Sequence, residues 1–167
     1  MKNEKIIISG PPGSGKTTII DELKKRGYEC MPEISPPKLD LKIKKNKLRL
    51  SEFIFLERIK QYQNNNHGTC FYDRSLIDVV AYMNFWNLKY PKIWDNNIMN
   101  SRYNQNIFYT PIWNEIYQKN NHRKETIQDA QKIDSFLKKA FLKYHYNIIE
   151  VPKLDVLKRV NFIINSL

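Results

Sequence analysis

The chain has 167 residues, 41% of them hydrophobic, and a formal net charge of +11. That is enough chain and enough apolar content to bury one core, which excludes an intrinsically disordered segment. No run nears the roughly 20 apolar residues of a membrane helix, and no signal-peptide core follows Met1, so a cytosolic protein is expected.

The positive charge suits an anionic partner: a nucleotide, RNA or a phospholipid surface. It does not select among them. Lysine far outnumbers arginine and asparagine and isoleucine abound, a bias that an AT-rich genome produces without selection for binding. Cys30 and Cys70 lie far apart and form no CxxC pair, so buried free thiols are expected.

In chain order, Lys5 to Ser9 is a β-branched run ending at Gly10 and predicts a buried strand. Lys16 to Arg26 predicts a helix with Ile19, Ile20 and Leu23 on one face, stopped by Gly27. Tyr28 to Met31 is a second strand, closed by Pro32, and Glu33 to Lys38 is a loop rich in turn residues. From Leu48 to Gln63 the pattern of Phe53, Leu56, Ile59 and Lys60 predicts a helix. Thr69 to Tyr72 is a third strand, with Asp73 and Arg74 directly after it.

Leu76 to Phe85 predicts a helix, and Pro91 is expected to break the helical pattern beyond it. Asn106 to Tyr109 is a fourth strand. Thr126 to Tyr144 is the longest helix, with Ile127, Ala130, Ile133, Leu137 and Phe141 on one face. Tyr146 to Val151 is a fifth strand, and Val156 to Ile164 a closing helix. Without a repeat or linker, one domain over residues 1–167 is expected. The alternation predicts an α/β fold, a five-stranded parallel sheet with helices on both faces. Ligands of such sheets bind at the carboxyl ends of the strands, which puts Gly10, Glu33, Asp73 and Pro111 on the functional rim.

Gly10-Pro11-Pro12-Gly13-Ser14-Gly15-Lys16-Thr17 matches the phosphate-loop pattern GxxxxGK[ST] in full, between a strand and a helix as the pattern requires. Glycine lets successive backbone N–H groups converge on phosphate oxygens, and the helix behind adds its positive end. Lys16 is expected to reach the β and γ phosphates, the Thr17 hydroxyl to bind Mg²⁺, and Thr18 to complete the binding segment. The expected ligand is ATP or GTP with Mg²⁺.

Asp73 stands where phosphate-loop proteins place the second Mg²⁺ carboxylate; its plainer role is to cap the next helix. Arg74 can carry phosphate charge or sit in a surface ion pair. Glu33 can accept the proton of an acceptor hydroxyl or be a solvated loop acid. Asp78 suits compensation of a helix dipole better than catalysis. Arg123 can reach over a transferring phosphate from a lid, or belong to an exposed basic turn with His122 and Lys124. Lys38 to Arg49 carries six basic residues against Asp40, either a solvated stretch or a contact for RNA or anionic lipid. Of Trp86, Trp94, Trp113 and Tyr117 most are expected to be core or groove wall, with stacking on a base as the other use.

Taken together, IIISGPPGSGKTTII from Ile6, Pro32-Glu33, FYDRSLIDVVAY over Phe71 to Tyr82, WNEIY over Trp113 to Tyr117, Arg123-Lys124-Glu125 and YNIIEVP over Tyr146 to Pro152 carry a resemblance. The chain resembles a family of P-loop ATPases classed with the AAA-type superfamily, related to the ribosylnicotinamide kinase domain of the NAD-biosynthesis regulator. The resemblance implies a P-loop kinase-like fold, a purine nucleotide with Mg²⁺, and kinase or NTPase activity. Two positions depart from it: Pro36 stands where the family has an arginine, and Asn120 where it tends to carry an acid. The expected function is therefore phosphoryl transfer to a small molecule, with Lys16, Asp73, Arg74, Arg123 and Glu33 as its catalytic candidates. A nucleotide-binding switch with little turnover is the alternative.

Overall fold

The structure is a computed structural model and describes residues 4–34, 45–64, 68–116 and 126–167. Five strands form one sheet: β1 (Glu4–Ser9), β2 (Glu29–Met31), β3 (Thr69–Asp73), β4 (Asn106–Tyr109) and β5 (Asn147–Glu150). All pairings are parallel and the spatial order is β2-β3-β1-β4-β5. The helices are α1 (Lys16–Lys25), α2 (Lys47–Asn64), α3 (Leu76–Phe85), α4 (Ile93–Asn100), α5 (Ile127–Lys143) and α6 (Val156–Asn165).

β1 is the middle strand, and its three isoleucines are fully buried because both sheet faces are covered. Alternation sends Ile7 to a core shared with Phe55, Leu76, Leu137 and Phe141, under α2, α3 and α5. Ile6 and Ile8 point the other way, to Ile19, Ile20, Leu23, Val160 and Ile163 of α1 and α6. Each of these burials contributes about 2 kcal/mol, so the strand that launches the phosphate loop is anchored from both sides.

α2 is a helix as expected, but the residues that mark it in the sequence are not all on its packed face: it buries Ser51, Phe55 and Arg58, Ile59 is half-buried against the core, and Leu56 is 58% exposed. Apolar residues surround this helix, so its sequence carries no strong phase. The packed stripe is chosen by partners, above all Trp94, which stacks on Phe55 at 4.1 Å and 7°. Pro91 does not end helical structure, which corrects that expectation. It precedes α4, whose Trp94 N–H donates to the Pro91 carbonyl at 2.9 Å. Proline is tolerated at a helix start, where its missing N–H would have no partner anyway.

The cysteines are free: Cys70 is buried and Cys30 only half-buried. Burial pushes the Cys70 thiol up to about 12 and the Cys30 thiol up to about 11, so both stay protonated and unreactive near neutral pH. No helix among the described residues is long and apolar enough to cross a membrane.

Candidate functional site

β1 ends against the middle of the sheet and the chain turns through Gly10 into a loop that closes on α1. Gly10 has φ 147°, and a Cβ there would lie 2.3 Å from both the carbonyl oxygen and the Oγ1 of Thr110. Gly15 is the N-cap of α1 in the left-handed region, φ 84°, with no side-chain cap. The first N–H groups of α1 are thus left without a capping side chain and are available to an anion.

Inside the loop, the Lys16 ammonium donates to the carbonyl oxygens of Gly10 (2.9 Å) and Pro11 (2.7 Å) and to Ser14 Oγ (3.3 Å). Lys16 is buried. That desolvation, reinforced by the nearby charge of Arg74, lowers its pKa to about 7. Thr17 and Thr18 are exposed on the first turn of α1. Thr110, directly after β4, supports the loop: its Oγ1 donates to the Ser9 carbonyl at 3.1 Å and lies 2.6 Å from Ser14 Oγ.

At the end of β3 the chain forms a second corner. Arg74 has φ 70°, unusual for a residue with a Cβ. Its N–H donates to the Ile8 carbonyl at 3.0 Å. Its Nε donates to Glu33 Oε1 at 2.6 Å, and one Nη reaches the Gly10 carbonyl at 3.3 Å. Glu33 and Arg74 are therefore one ion pair reaching from the loop after β2 to the phosphate loop. The positive charge of Arg74 holds the Glu33 carboxyl below its usual range against the opposing effect of burial.

Asp73 is 3% exposed and its Oδ1 has no hydrogen-bond partner. Burial raises its pKa, opposed by Lys16 and Arg74. Capping of α3 falls instead to Ser75, whose hydroxyl accepts from the Ile77 N–H at 3.2 Å, and to Asp78, which accepts from the Ser75 N–H at 2.7 Å. Asp78 also accepts from Ser9 Oγ at 2.6 Å, tying α3 to β1. The plain expectation for Asp78 at a helix start matches this geometry, whereas Asp73 is not a cap.

A cleft of about 870 Å³ joins these groups. Gly13, Gly15, Lys16 and Thr17 line it. So do Trp113, Ile116, Leu154, Val156 and Arg159, where Arg159 lies over the Trp113 ring and beside Gly15. Glu33, Leu50, Ile54, Arg58, Arg74, Tyr82 and Trp86 line it as well, where Arg74 lies over the Tyr82 ring. Of the sequence candidates, Glu33, Lys16, Thr17, Thr18 and Arg74 line one cavity, and Asp73 is buried beside it without lining it. Trp86 and Trp113 are cleft wall, while Trp94 is core. Pro111 faces away, into a smaller cavity with Asp134, Lys138 and Glu150. Arg123 lies outside the described residues, as do Pro36, Asn120, Tyr117 and the lysines from Lys38 to Lys44.

Three residues that line or brace the site carried no signal in the sequence. Arg159 of α6 donates to the Ser14 carbonyl at 3.0 Å and lies over the Trp113 ring at 5.5 Å. Arg58 of α2 is buried against the β3–α3 corner, and Thr110 props the phosphate loop. Each is brought in by packing from a distant segment, and no local pattern marks it.

The parallel order, the central β1 and the phosphate loop between β1 and α1 define a P-loop protein of the nucleoside- and nucleotide-kinase-like fold. The chain belongs to the AAA domain family, whose model matches residues 5–159. Its fold is similar to that of a deoxyadenosine kinase from M. mycoides with products dCMP and a flexible dCDP bound, at 20% identity, TM-score 0.71 and 97% coverage of both chains. It is also similar to the NadR protein in complex with NR, at 15% identity and TM-score 0.71 over 98% of this chain and 50% of that one. A thymidylate kinase from Ehrlichia chaffeensis aligns over 99% of this chain and 98% of that one, at 13% identity and TM-score 0.65. Among curated proteins none matches the sequence.

Proposed function

We propose that this chain is a Mg²⁺-dependent small-molecule kinase that moves the γ-phosphoryl group of a purine nucleoside triphosphate to an acceptor hydroxyl. One observation carries it: a single cleft is lined both by the phosphate loop and by the Glu33–Arg74 pair, so donor and acceptor can meet in one space. The likeness to nucleoside and nucleotide kinases supports the same class.

The phosphates occupy the loop, and the donor's nucleoside extends toward Trp113 and Arg159. The acceptor enters where Tyr82 and Trp86 offer aromatic surface and Glu33 with Arg74 a polar end. That combination suits an acceptor with a flat ring and a hydroxyl, as in a nucleoside. Within the phosphate loop, residues Gly10 to Thr18 bind the donor. Thr17 and Asp73 hold Mg²⁺; the orphaned buried Oδ1 of Asp73 fits that use. The ion supplies neutralisation of charge on the phosphate oxygens.

Glu33 takes a hydrogen bond from the acceptor hydroxyl and orients its oxygen toward the phosphorus. As the acceptor oxygen bonds to the γ-phosphorus and the bond from phosphorus to the leaving nucleoside diphosphate breaks, the hydroxyl proton passes to Glu33. Its lowered pKa makes it a weak base, which is adequate because the loose transition state of phosphoryl transfer asks for positioning and charge stabilisation above all. Lys16 and Arg74 supply the positive charge, with Arg123 as a further candidate. RNA or lipid contact draws no support from the cleft.

Turnover of ATP and GTP against a panel of nucleosides, nucleotides and ribosylnicotinamide tests the proposal. Acceptor-stimulated release of nucleoside diphosphate is the expected result; tight nucleotide binding without turnover on any acceptor would place the chain among nucleotide switches instead. Glu33→Gln is expected to lower kcat by about 10²-fold or more while donor affinity stays within roughly twofold. Equal loss of both would show that Glu33 only supports the loop.

Lys16 also predicts a pH dependence. Its pKa of about 7 in the free protein rises when an anionic phosphate is bound, so binding takes up a proton between the two values. Donor affinity is therefore expected to be full below pH 7 and to fall by up to roughly tenfold per unit above it. Calorimetry at pH 8 in two buffers of different ionisation heat reads the uptake directly, and binding without proton uptake contradicts the shift.

A further inference from the structure

Arg58 is 3% exposed and lies on α2, which reaches the site only through tertiary packing. Its Nη1 donates to two carbonyl oxygens, of Asp73 at 3.1 Å and of Arg74 at 3.0 Å. Its Nε has no partner, and no ion pair among the described residues includes it. Burial lowers its pKa, opposed by the nearby charge of Asp78.

As a stability device this is a poor arrangement. Burying a guanidinium costs several kcal/mol, and apolar residues of similar volume often serve equally well or better. What Arg58 grips is more informative. Arg74 sits at φ 70°, a left-handed conformation that is unfavourable for a residue with a Cβ. In that conformation its side chain leaves the strand end toward Glu33 and the Gly10 carbonyl. The corner is held on one side by its N–H on the Ile8 carbonyl, and on the other by Arg58 taking both adjacent carbonyls.

We propose that Arg58 is a positioning residue: it clamps the left-handed corner at Arg74 and thereby keeps the Arg74 guanidinium on Glu33 and the phosphate loop. This rests on the kinase reading for its effect on turnover, though not for its effect on Arg74 itself. Arg58 also lines the cleft, so an acceptor contact is the rival role, and the test below separates it from an action through Arg74.

The test is Arg58→Met, which keeps length and apolar volume and removes both donors. The variant is expected to melt within a few degrees of the parent and bind nucleotide with a Kd within about twofold, yet lose roughly tenfold or more in kcat with acceptor KM little changed. Independently of turnover, the Arg74 Nε–H resonance in ¹⁵N spectra is expected to shift and to exchange with solvent faster. Arg58→Lys, which keeps a donor for the carbonyls, is expected to recover most of the kcat and of the Arg74 protection. An Arg74 resonance and kcat unchanged in the methionine variant overturn the proposal. So does a raised acceptor KM with Arg74 protection intact, which would make Arg58 an acceptor contact. Should the methionine variant not fold, the kinetic and spectral readouts pass to Arg58→Gln, whose amide nitrogen ends two bonds short of the Nη1 position that meets the carbonyls: wild-type kcat and Arg74 protection there overturn the clamp. A parent protein that turns over no acceptor removes the kinase reading, and the Arg74 spectrum then decides the clamp alone.

Discussion

Lys16→Ala is expected to reduce phosphoryl transfer by roughly 10²–10³-fold or more, the scale lost when a preorganised positive group aimed at developing charge is removed. The ammonium already sits among the Gly10 and Pro11 carbonyls, and an entering phosphate offers a stronger anionic partner than neutral carbonyl oxygens. The loss is expected in donor binding as well as in kcat, because the same charge meets the bound and the transferring phosphate. Folding should be little affected. A buried ammonium with a strongly lowered pKa is held against its own desolvation, and alanine relieves that cost while leaving two carbonyls short of a donor. Titration calorimetry, turnover and thermal melting separate these effects. Retained donor affinity in a folded Lys16→Ala variant would remove the phosphate loop from the function proposed for it.

Gly10→Ala is expected to act through structure and to be the most destabilising single methyl in the site. The new Cβ would stand 2.3 Å from a backbone oxygen and 2.3 Å from the Oγ1 of Thr110, and 3.1 Å from Ser14 Oγ, at φ 147°. Side-chain rotation can relieve the hydroxyl contacts, but the Thr110 carbonyl belongs to the segment leaving β4 and follows an N–H bonded to Ser9 at 2.8 Å. Overpacking combined with a forbidden backbone region costs on the order of 4 kcal/mol, which lowers the melting temperature by roughly 10 °C in a chain of this size. Gly27→Ala is the matched control. It also has positive φ, 86°, but nothing lies within 4 Å of its Cβ position, so only the backbone cost of about 1–2 kcal/mol is expected. Adding Thr110→Ala to Gly10→Ala removes one clash and leaves the other, so rescue should be partial. Equal melting of the Gly10 and Gly27 variants would show that the β4 segment gives way freely.

Much of the fold and of the site is legible in the residues alone. The strands β1, β3 and β4 announce themselves as short apolar runs, and α3 and α5 as helical patterns, while the capping boxes of Ser75 and Thr126 that open those helices emerge only in the structure. The phosphate loop is legible because it is one contiguous piece: Gly10 to Thr17 is read from spacing, and the geometry it needs is local. Glu33 and Arg74 can be placed on the same rim because each follows a parallel strand, though that they pair at 2.6 Å is a tertiary fact. The phase of α2 and the existence of α4 are not legible. The first has apolar residues on every side, and the second is short and preceded by a proline that serves equally as a start or a stop.

By itself, then, the sequence determined the parallel α/β order, the phosphate loop and the candidates at strand ends, because backbone period and glycine freedom act within a few residues. The tertiary structure alone decided that Asp73 is buried beside the cleft while Asp78 caps α3, and that Pro111 faces away while Thr110 props the loop. It also decided that Arg58 and Arg159 brace the two corners of the site. Those outcomes depend on which surfaces meet when α2 and α6 pack on the sheet, and a buried arginine finds its carbonyl oxygens only after the chain around it has closed.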